Sequence, residues 1–561
     1  MMILAFDFHY LSSNGVLESF LNNCVSETSL SYQLDREGNV VTLYVEGEEK
    51  ALIDFSEKLS LELPLSLYFK SSTVRAVESM PTSVSTMRSC DLELPFTPRM
   101  LKHVMDRDGE DYYNPFITPD VGMASDVNAP LTLCVDDMKQ EATNTFKPLF
   151  EAAAASLKEG KRLHVKTLTG TVTVGVLNET CADLLKENSF TVVPCDLSVA
   201  EKMVVIKDNE VKALASLEKP TLKLKVNMLY QAKNILPHAH VSMRLADDLI
   251  LYLLCVELFA LGIDFFYMTD EHLAADGRLS FTGNGAINRN EVGVVVLENG
   301  EILPLFGDAY ASKSLKEGLG QFDAAYHARY AALMKEHKLF DKKSCCFYLS
   351  EKHDDKIMFY SEESGMIDLI GVDVPSSINA MLKRIEDSDE TGGQLVANYR
   401  KAFPEISAVL DSIDVPSTLP KSLYTMFGIA GVIFGFSDDV AIAAAKLLEN
   451  ADAFGGTKGP RIDYRLLDES LRSNLDIAKL IRSGMSFRLA GTDDMTISFG
   501  YLESLSYFVS DMADSFKENL QSTHVGLCGS IFGFKKFSEL TARNIQPNHT
   551  VCFNRELPMD A

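Results

Sequence analysis

Near its C-terminus the chain reads His524-Val-Gly-Leu-Cys-Gly-Ser-Ile-Phe-Gly-Phe-Lys-Lys-Phe-Ser-Glu-Leu540. The apolar run 525–527 predicts a buried strand, Gly529 and Ser530 predict a tight turn, and residues 532–540 predict the start of an amphipathic helix. Such a unit directs backbone N–H groups and the positive end of a helix dipole at one point, which is how many folds hold a nucleotide phosphate. The sequence therefore raises the question of whether this unit still holds one.

The composition predicts a globular protein of several domains. A length of 561 residues suggests three to five domains, and 46% hydrophobic with 24% charged residues is typical of folded chains. The net charge of −26 argues against nucleic acid or an anionic membrane as a partner. The first residues lack the basic segment of a secretory signal, and ten scattered cysteines form no C-x-x-C pair. We therefore expect a cytoplasmic protein with reduced thiols.

Two apolar stretches are long enough to raise the question of membrane insertion. Residues 249–268 could span a bilayer by length, but they include Glu257 and Asp264 and change from a helical to a strand pattern. Residues 424–436 are too few to span. Both stretches are predicted to lie in the protein core, so no membrane insertion is expected.

The chain divides into four segments with an α/β and α+β multidomain pattern. Residues 1–75 show the order β-α-β-β-α-β, which is the ferredoxin-like split motif. Residues 76–142 contain six prolines and are predicted to be irregular. Residues 143–312 alternate helices and strands, and residues 313–561 mix the two, ending in the strand, turn and helix quoted above.

Several motifs stand in the order in which a known family carries its own. They include Asp111-Tyr-Tyr-Asn-Pro-Phe-Ile-Thr, Gly160-Lys-Arg-Leu-His-Val-Lys-Thr-Leu-Thr-Gly170 and Ala286-Ile-Asn-Arg-Asn-Glu-Val-Gly-Val294. With the C-terminal unit, the chain resembles the [NiFe] hydrogenase maturation carbamoyltransferases, the HypF family. The resemblance implies an acylphosphatase-like domain at 1–75 and a degenerate zinc-finger-like segment at 76–142. It also implies a YrdC-like domain at 143–312 and a truncated Kae1-like, ATPase-fold domain at 313–561.

The residues that the first family domain needs are missing. That domain uses an arginine in its first loop and an asparagine after its second strand to hold an acyl phosphate. Here the loop reads Ser12-Ser-Asn-Gly-Val-Leu-Glu-Ser19, no arginine precedes Arg36, and Leu34 stands about where the asparagine belongs. The sequence therefore predicts no acylphosphatase activity.

The zinc ligands implied by the family are also replaced. Pro119 and Gly122 stand at one cysteine pair, and Thr97 and Met100 at another. Cys134 is a possible remnant of the second finger, and one thiolate does not make a zinc site. We expect that zinc has been lost.

The nucleotide motifs survive only in part. In the YrdC-like segment Thr167 and Thr169 replace glycines, and the family's H-H-x-A-H metal motif is absent from the Kae1-like segment. We expect ATP binding to be lost with these residues, and no catalytic residue is predicted. The resemblance implies the following nucleotide-binding remnants: Lys166, Gly170, Arg289, Gly365, Gly529, Ser530 and Asp560.

Several polar residues allow both a functional and a structural interpretation. His238 with His240, and the sequence His353-Asp-Asp355, could hold a metal, but polar loops are the favoured interpretation. Lys166 is more simply a lysine at a strand end. Ser361 and Ser530 are more simply turn residues.

Three hypotheses for function follow. The first is a non-catalytic HypF-like accessory factor that assists [NiFe] hydrogenase maturation or assembly by binding a hydrogenase subunit or another maturation protein. The second is a divergent active carbamoyltransferase that uses ATP and carbamoyl phosphate. The third is a binding protein in an unrelated pathway, because a shared layout does not imply a shared function.

Overall fold

The structure is a computed structural model that describes residues 1–82, 101, 113–116, 130–136, 138–167, 170–269, 273–282, 291–468 and 470–560. The chain forms two compact units. The first comprises Met1–Val296 and Phe306–Lys313, and the second comprises Leu297–Leu305 and Ser314–Ala561. The division into four domains remains a prediction, and each unit is described by itself.

The first unit begins with a four-stranded antiparallel sheet and two helices. The strand order is β2-β3-β1-β4, which is the ferredoxin-like order, and it confirms the β-α-β-β-α-β prediction. Alternating residues of β1 point into the core, where the rings of Phe6 and Phe55 meet edge to face with centroids 5.8 Å apart. The elements are β1 (Met2–Tyr10), α1 (Val16–Ser26), β2 (Ser31–Glu37), β3 (Val40–Gly47), α2 (Glu49–Glu62) and β4 (Phe69–Val77).

A larger mixed sheet fills the rest of the first unit. Its strands follow the order β15-β11-β12-β9-β13-β8-β7-β14-β5-β6, and β10 pairs with β11. The strands are β5 (Leu131–Val135), β6 (Met138–Ala142), β7 (Leu163–Thr167), β8 (Gly170–Val176), β9 (Thr191–Pro194), β10 (Val204–Val205), β11 (Thr221–Val226), β12 (His240–Met243), β13 (Phe265–Thr269), β14 (Gly277–Phe281) and β15 (Gly293–Val296). The helices are α3 (Lys147–Lys158), α4 (Ala182–Glu187), α5 (Asp208–Ala215), α6 (Met228–Gln231) and α7 (Leu249–Ala260).

The apolar stretch 249–268 lies in the core of this unit, as predicted. It forms the helix α7 and the fully buried strand β13, and both pack in one cluster with α3. Most of helix α7 is buried, and its outer face carries the half-buried Tyr252 and Val256 and the exposed Phe259. Among the residues that the structure describes, no helix is both long and apolar enough to cross a membrane.

The prediction that residues 76–142 are irregular is wrong for Leu131–Val135 and Met138–Ala142, which form strands. Strands β5 and β6 form a hairpin, and β5 pairs with β14 in register from Leu131 opposite Phe281 to Val135 opposite Gly277. Leu131, Leu133 and Val135 are buried at alternating positions, which is the two-residue period of a half-buried strand. The hairpin therefore extends the large sheet.

The second unit has a five-stranded sheet with the order β19-β18-β17-β20-β21. Strand β20 runs parallel to β17 and to β21, while β18 runs antiparallel to both of its neighbours, β17 and β19. The five strands are β17 (Ser344–Tyr348), β18 (Lys356–Ser361), β19 (Gly365–Gly371), β20 (His524–Cys528) and β21 (Thr550–Phe553), and the short strand β16 (Ile302–Phe306) is not one of them. The helices are α8 (Lys313–Leu319), α9 (Ala325–His337), α10 (Ile378–Glu386), α11 (Glu390–Ala402), α12 (Pro404–Leu410), α13 (Leu423–Phe434), α14 (Val440–Ala453), α15 (Ile477–Leu489), α16 (Asp494–Leu520) and α17 (Lys535–Ile545).

The C-terminal strand, turn and helix form as predicted, with one difference. Strand β20 is buried, but a 3₁₀ turn at Ser530–Gly533 precedes helix α17. Phe534 has extended backbone angles, so the α-helix begins at Lys535 and not at residue 532. The predicted helix start therefore lies three residues too early.

Candidate functional site

Three of the predicted nucleotide-binding remnants meet at the end of strand β20. Gly529 and Ser530 follow the strand directly, and the carboxyl of Asp560 accepts a hydrogen bond from the Ser530 N–H at 3.2 Å. Gly365 is the first residue of β19, at the opposite end of the same sheet according to the strand register. We call residues 529–532 the C-terminal turn.

All four backbone N–H groups of the C-terminal turn donate to acceptors within the chain. Gly529 donates to the carbonyl oxygen of Met559 at 2.7 Å, and Ser530 donates to Asp560. Ile531 donates to the carbonyl oxygen of Leu349 at 3.1 Å, and Phe532 donates to that of Gly529 at 3.1 Å. A phosphate bound here would have to displace at least one of these acceptors, because each N–H group carries one hydrogen.

Asp560 occupies the position at the turn where an external anion would accept hydrogen bonds. Its side chain is buried, and it also accepts hydrogen bonds from the hydroxyl of Tyr348 and, at 2.6 Å, from that of Ser350. Burial, followed by the charge of Asp560, raises the pKa of Tyr348 well above its usual value, so the phenol remains a donor. The chain thus supplies its own carboxylate to this turn.

A second buried carboxyl supports the same region from the other side. Asp355 accepts the N–H groups of Ser350 at 2.7 Å and of Leu423 at 2.6 Å. Leu423 is the first residue of α13, so Asp355 caps that helix. Burial raises the pKa of Asp355 well above the ordinary carboxyl value.

The turn of residues 350–353 is closed by side chains of the same network. The hydroxyl oxygen of Ser350 accepts the N–H groups of Lys352 and His353, each at 3.0 Å. The hydroxyl oxygen of Ser530 accepts the N–H of Glu351 at 2.8 Å. Ser530 therefore has a structural role in joining two turns, in keeping with its interpretation as a turn residue.

Gly529 is required by close packing of backbone against backbone. Its φ is +97°, and an added Cβ atom would lie 2.0 Å from the carbonyl oxygen of Leu349. Gly365 has a φ of +65°, but no atom lies within 4 Å of the corresponding position. A side chain is therefore sterically excluded at Gly529, by the residue that follows β17, but not at Gly365.

The acidic residues of the sequence His353-Asp-Asp355 hold backbone groups. Asp354 accepts the N–H of Lys421 at 2.8 Å, beside the contacts of Asp355 given above. Across the residues that the structure describes, no group of three or more His, Cys, Asp or Glu side chains could hold a metal ion. The zinc-like positions 97, 100, 119 and 122 lie outside the described residues.

In the first unit, the loop 12–19 that would hold an acyl phosphate contains the guanidinium of Arg36. This side chain donates to the carbonyl oxygens of Tyr10 at 3.1 Å and Ser12 at 2.7 Å. It also forms an ion pair of 2.6 Å with Glu18, whose side chain is 4% exposed. We call residues 12–19, which include the first turn of α1, the first loop. The carbonyl oxygen of Ser12, the carboxylate of Glu18 and the carbonyl oxygen of Tyr10 just before the loop all face this cation of the chain itself.

Two of the three remaining predicted residues, Lys166 and Gly170, lie in the large sheet. Lys166 donates to the carbonyl oxygen of Phe281 at 3.1 Å and lies over the ring of Phe281, 4.6 Å from its centroid. Gly170 has a φ of +139°, and its carbonyl oxygen accepts the hydroxyl of Thr167 at 2.9 Å. Arg289 lies outside the described residues, so a shared site of these three residues stays a prediction.

The second unit also contains a cleft of about 450 Å³ beside helix α17. Lys536 lies over the rings of Phe454 and Phe499, 5.3 and 4.7 Å from their centroids. Glu539 accepts the N–H of Glu298 at 3.0 Å. Lys536 and Glu539 in this cleft therefore both interact with other groups of the protein.

Sequence reasoning did not identify Tyr348, Ser350 or Arg36 as parts of these sites. Tyr348 and Ser350 reach Asp560 across 212 and 210 positions of the chain. The pairing of β17 with β20 brings Tyr348 and Ser350 close to the C-terminal turn, and no local sequence pattern predicts that pairing. The only signal in the sequence was the presence of hydroxyl residues at the end of a predicted strand.

The two units and their element order define the fold of HypF. Two solved HypF structures match almost the whole chain. One, described as phosphate- and nucleotide-bound full-length HypF, has a TM-score of 0.64 and 15% identity, covering 100% of this chain and 96% of the other. HypF of T. kodakarensis has a TM-score of 0.69 and 12% identity, covering 99% and 96%. The predicted HypF-like, mixed α/β multidomain fold is therefore confirmed.

In sequence, the chain is similar to Protein HydE of Wolinella succinogenes. The two are 26% identical over 568 residues, covering 100% of both chains. No family model matches the sequence.

Proposed function

We propose that this protein is a HypF-like accessory factor that assists the maturation or assembly of a [NiFe] hydrogenase by binding other proteins, without carbamoyltransferase activity. The HypF fold over the whole chain and the full-length similarity to HydE support a role in hydrogenase maturation. The partner is a hydrogenase subunit or another maturation protein. The protein needs neither ATP nor zinc for this role.

The hydrogen bonding of the C-terminal turn carries the proposal. A phosphate site at the start of a helix depends on N–H groups that are free to bind the anion. Here the N–H of Ser530 is taken by Asp560, and the N–H groups on either side of it are taken by main-chain carbonyls. Opening this site to a nucleotide would cost several buried hydrogen bonds.

The first loop supports the same conclusion for the acyl phosphate. An anion is repelled where carbonyl oxygens and the carboxylate of Glu18 point inward. Arg36 is the only guanidinium that the described contacts place at this loop, and it is held by those acceptors. The loop therefore favours a structural role.

The direct test is AMP release from ATP in the presence of carbamoyl phosphate. Purified full-length protein should release no more AMP than a blank without protein, while HypF of T. kodakarensis serves as the positive control. AMP release that depends on both substrates would overturn the proposal in favour of the divergent carbamoyltransferase. Metal analysis of the purified protein should show no stoichiometric zinc.

The link to hydrogenase is tested in a deletion strain of the native host. Loss of the gene should lower hydrogenase activity and the nickel content of the hydrogenase, and the wild-type gene should restore both. Normal activity and nickel loading in the deletion strain would remove the link to maturation. A binding role in an unrelated pathway would then be the better explanation.

A further inference from the structure

A short helix in the first unit holds two large apolar side chains in solvent. Met228 and Leu229, the first residues of α6, are each 85% exposed, and Val205 on the neighbouring strand β10 is 56% exposed. Isolated apolar side chains on a surface are ordinary, but two adjacent ones at this exposure are not required by the fold. We call Val205, Met228 and Leu229 the apolar edge.

Asn227 fixes the direction in which these side chains point. Its side-chain oxygen accepts the N–H of Tyr230 at 2.8 Å and so caps α6. Its N–H donates to the carbonyl oxygen of Met203 at 2.9 Å, and its amide nitrogen donates to that of Lys202 at 2.9 Å. Helix α6 is therefore tied to the chain that leads into β10.

Tyr230 anchors the other side of the short helix. Its side chain is 7% exposed, and its ring lies 6.0 Å from that of Phe265 on β13. Because Tyr230 points inward and Asn227 is pinned, Met228 and Leu229 are directed outward by the backbone. This exposure belongs to an ordered, hydrogen-bonded turn and not to a loose segment.

Lysines surround the apolar edge in a chain that is otherwise acidic. Lys225 pairs with Val205 across the strands, and Lys233 lies over the ring of Tyr230 at 4.4 Å. Lys202 forms an ion pair with Asp264 at 2.8 Å. At physiological salt, charges interact over about 8 Å, so these lysines matter more to a docked partner than the net charge of −26.

We infer that the apolar edge is the docking site for a partner protein whose contact surface combines apolar residues with carboxylates; this inference rests on the proposed function. Apolar residues of the partner cover Met228 and Leu229, and its carboxylates face Lys225 and Lys233. A second copy of this chain fits poorly, because a symmetric contact through the same face would place these lysines against their own copies. An anionic membrane would meet the same two lysines, so it is the competing occupant, and the vesicle flotation described below tests it.

Cross-linking in the native host identifies the partner. A photoreactive phenylalanine analogue at position 229 should form an adduct with a hydrogenase subunit or a maturation protein, recognised by mass spectrometry. The same analogue at Leu61, which is 81% exposed on α2, is the control and should not. Adducts between two copies of the chain, or the same adduct from both positions, would overturn the inference.

Binding measurements with that purified partner then test the chemistry. The variant M228S/L229S should weaken the Kd at least about tenfold, and K225E/K233E about tenfold at low salt. The matched variant I53S/L61S alters two exposed apolar residues of α2 and should leave the Kd within about twofold. An unchanged Kd in M228S/L229S would overturn the inference. So would flotation of the wild-type protein with phosphatidylserine vesicles that is lost in this variant.

Complementation separates this inference from the proposed function. If the deletion strain has normal hydrogenase activity, the function itself is wrong. If the deletion strain is defective and M228S/L229S restores it fully, only the docking surface is wrong. The inference expects M228S/L229S to fold as the wild type does, by circular dichroism, and to restore less activity than I53S/L61S.

Discussion

The C-terminal turn and the first loop both stand where the resemblance places the binding of an anion, and the chain fills them in opposite ways. At the C-terminal turn, the N–H of Ser530 points at the carboxylate of Asp560. At the first loop, the carbonyl oxygens of Tyr10 and Ser12 point at the guanidinium of Arg36. The C-terminal turn directs hydrogen-bond donors at an anionic group, whereas the first loop directs acceptors at a cationic group.

This difference shows two ways in which a chain can occupy such a position with its own side chains. In the C-terminal turn, the fold still needs an anion, because buried N–H and hydroxyl donors are costly to leave unpaired, and Asp560 supplies it. In the first loop, the fold needs a cation, because Glu18 is buried and would otherwise be an unpaired charge. Emptying the first site should recreate a weak anion site, whereas emptying the second should not.

The largest effect is expected from Gly529→Ala. The added Cβ would collide with the Leu349 carbonyl, and the positive φ is strained for alanine, so we expect a loss of about 4 kcal/mol in the free energy of unfolding. The control Gly365→Ala has a positive φ but open space and should lose about 1 kcal/mol. Urea unfolding followed by circular dichroism measures both, since the chain has no tryptophan. Equal losses would show that the C-terminal turn is not closely packed.

The next effect concerns the ion pair of the first loop. Arg36→Ala leaves the buried carboxylate of Glu18 without its cation and should destabilise the first unit by about 3 kcal/mol. The double variant R36A/E18Q removes the stranded charge and should recover a substantial part of that loss. A thermodynamic cycle with E18Q measures the coupling. Simple additivity of the two single changes would mean that the ion pair does not hold the loop.

A smaller loss is expected from Asp560→Ala in the second unit. The change leaves the N–H of Ser530 and the hydroxyls of Tyr348 and Ser350 without their acceptor, and it should cost about 2 kcal/mol. Asp560→Asn keeps one acceptor oxygen at the same place and should cost about half as much. The measurement is again urea unfolding. If both variants match the wild type, the carboxylate does not organise the C-terminal turn.

The smallest effect distinguishes the two sites most directly. Inorganic phosphate at tens of millimolar should stabilise D560A by about 1 kcal/mol relative to chloride of the same ionic strength. The reason is that the N–H and hydroxyl groups freed by the substitution can donate hydrogen bonds to the phosphate. Under the same conditions R36A/E18Q should gain nothing beyond the wild type. Thermal unfolding of the three proteins provides the comparison. An equal gain in R36A/E18Q would remove the distinction in polarity.

Local patterns in the sequence predicted much of the fold. The burial of the stretch 249–268 and the ferredoxin-like order of the first segment both follow from the sequence. Both depend on the spacing of apolar residues within a few turns or strands. Because buried side chains lie on one face of an element, this spacing is visible in the local sequence. The hairpin of β5 and β6 was missed because a proline-rich context outweighed a short alternating strand.

The sequence by itself determined where the chain departs from the motifs it resembles, and it predicted the C-terminal strand, turn and helix. Only the tertiary structure decided what occupies that turn. Asp560 reaches it because β20 pairs with β17 on one side, while the backbone of Met559 accepts the Gly529 N–H. Hydrogen bonds are short-ranged and can join residues more than 200 positions apart, so their partners follow from the packed fold and not from spacing along the chain.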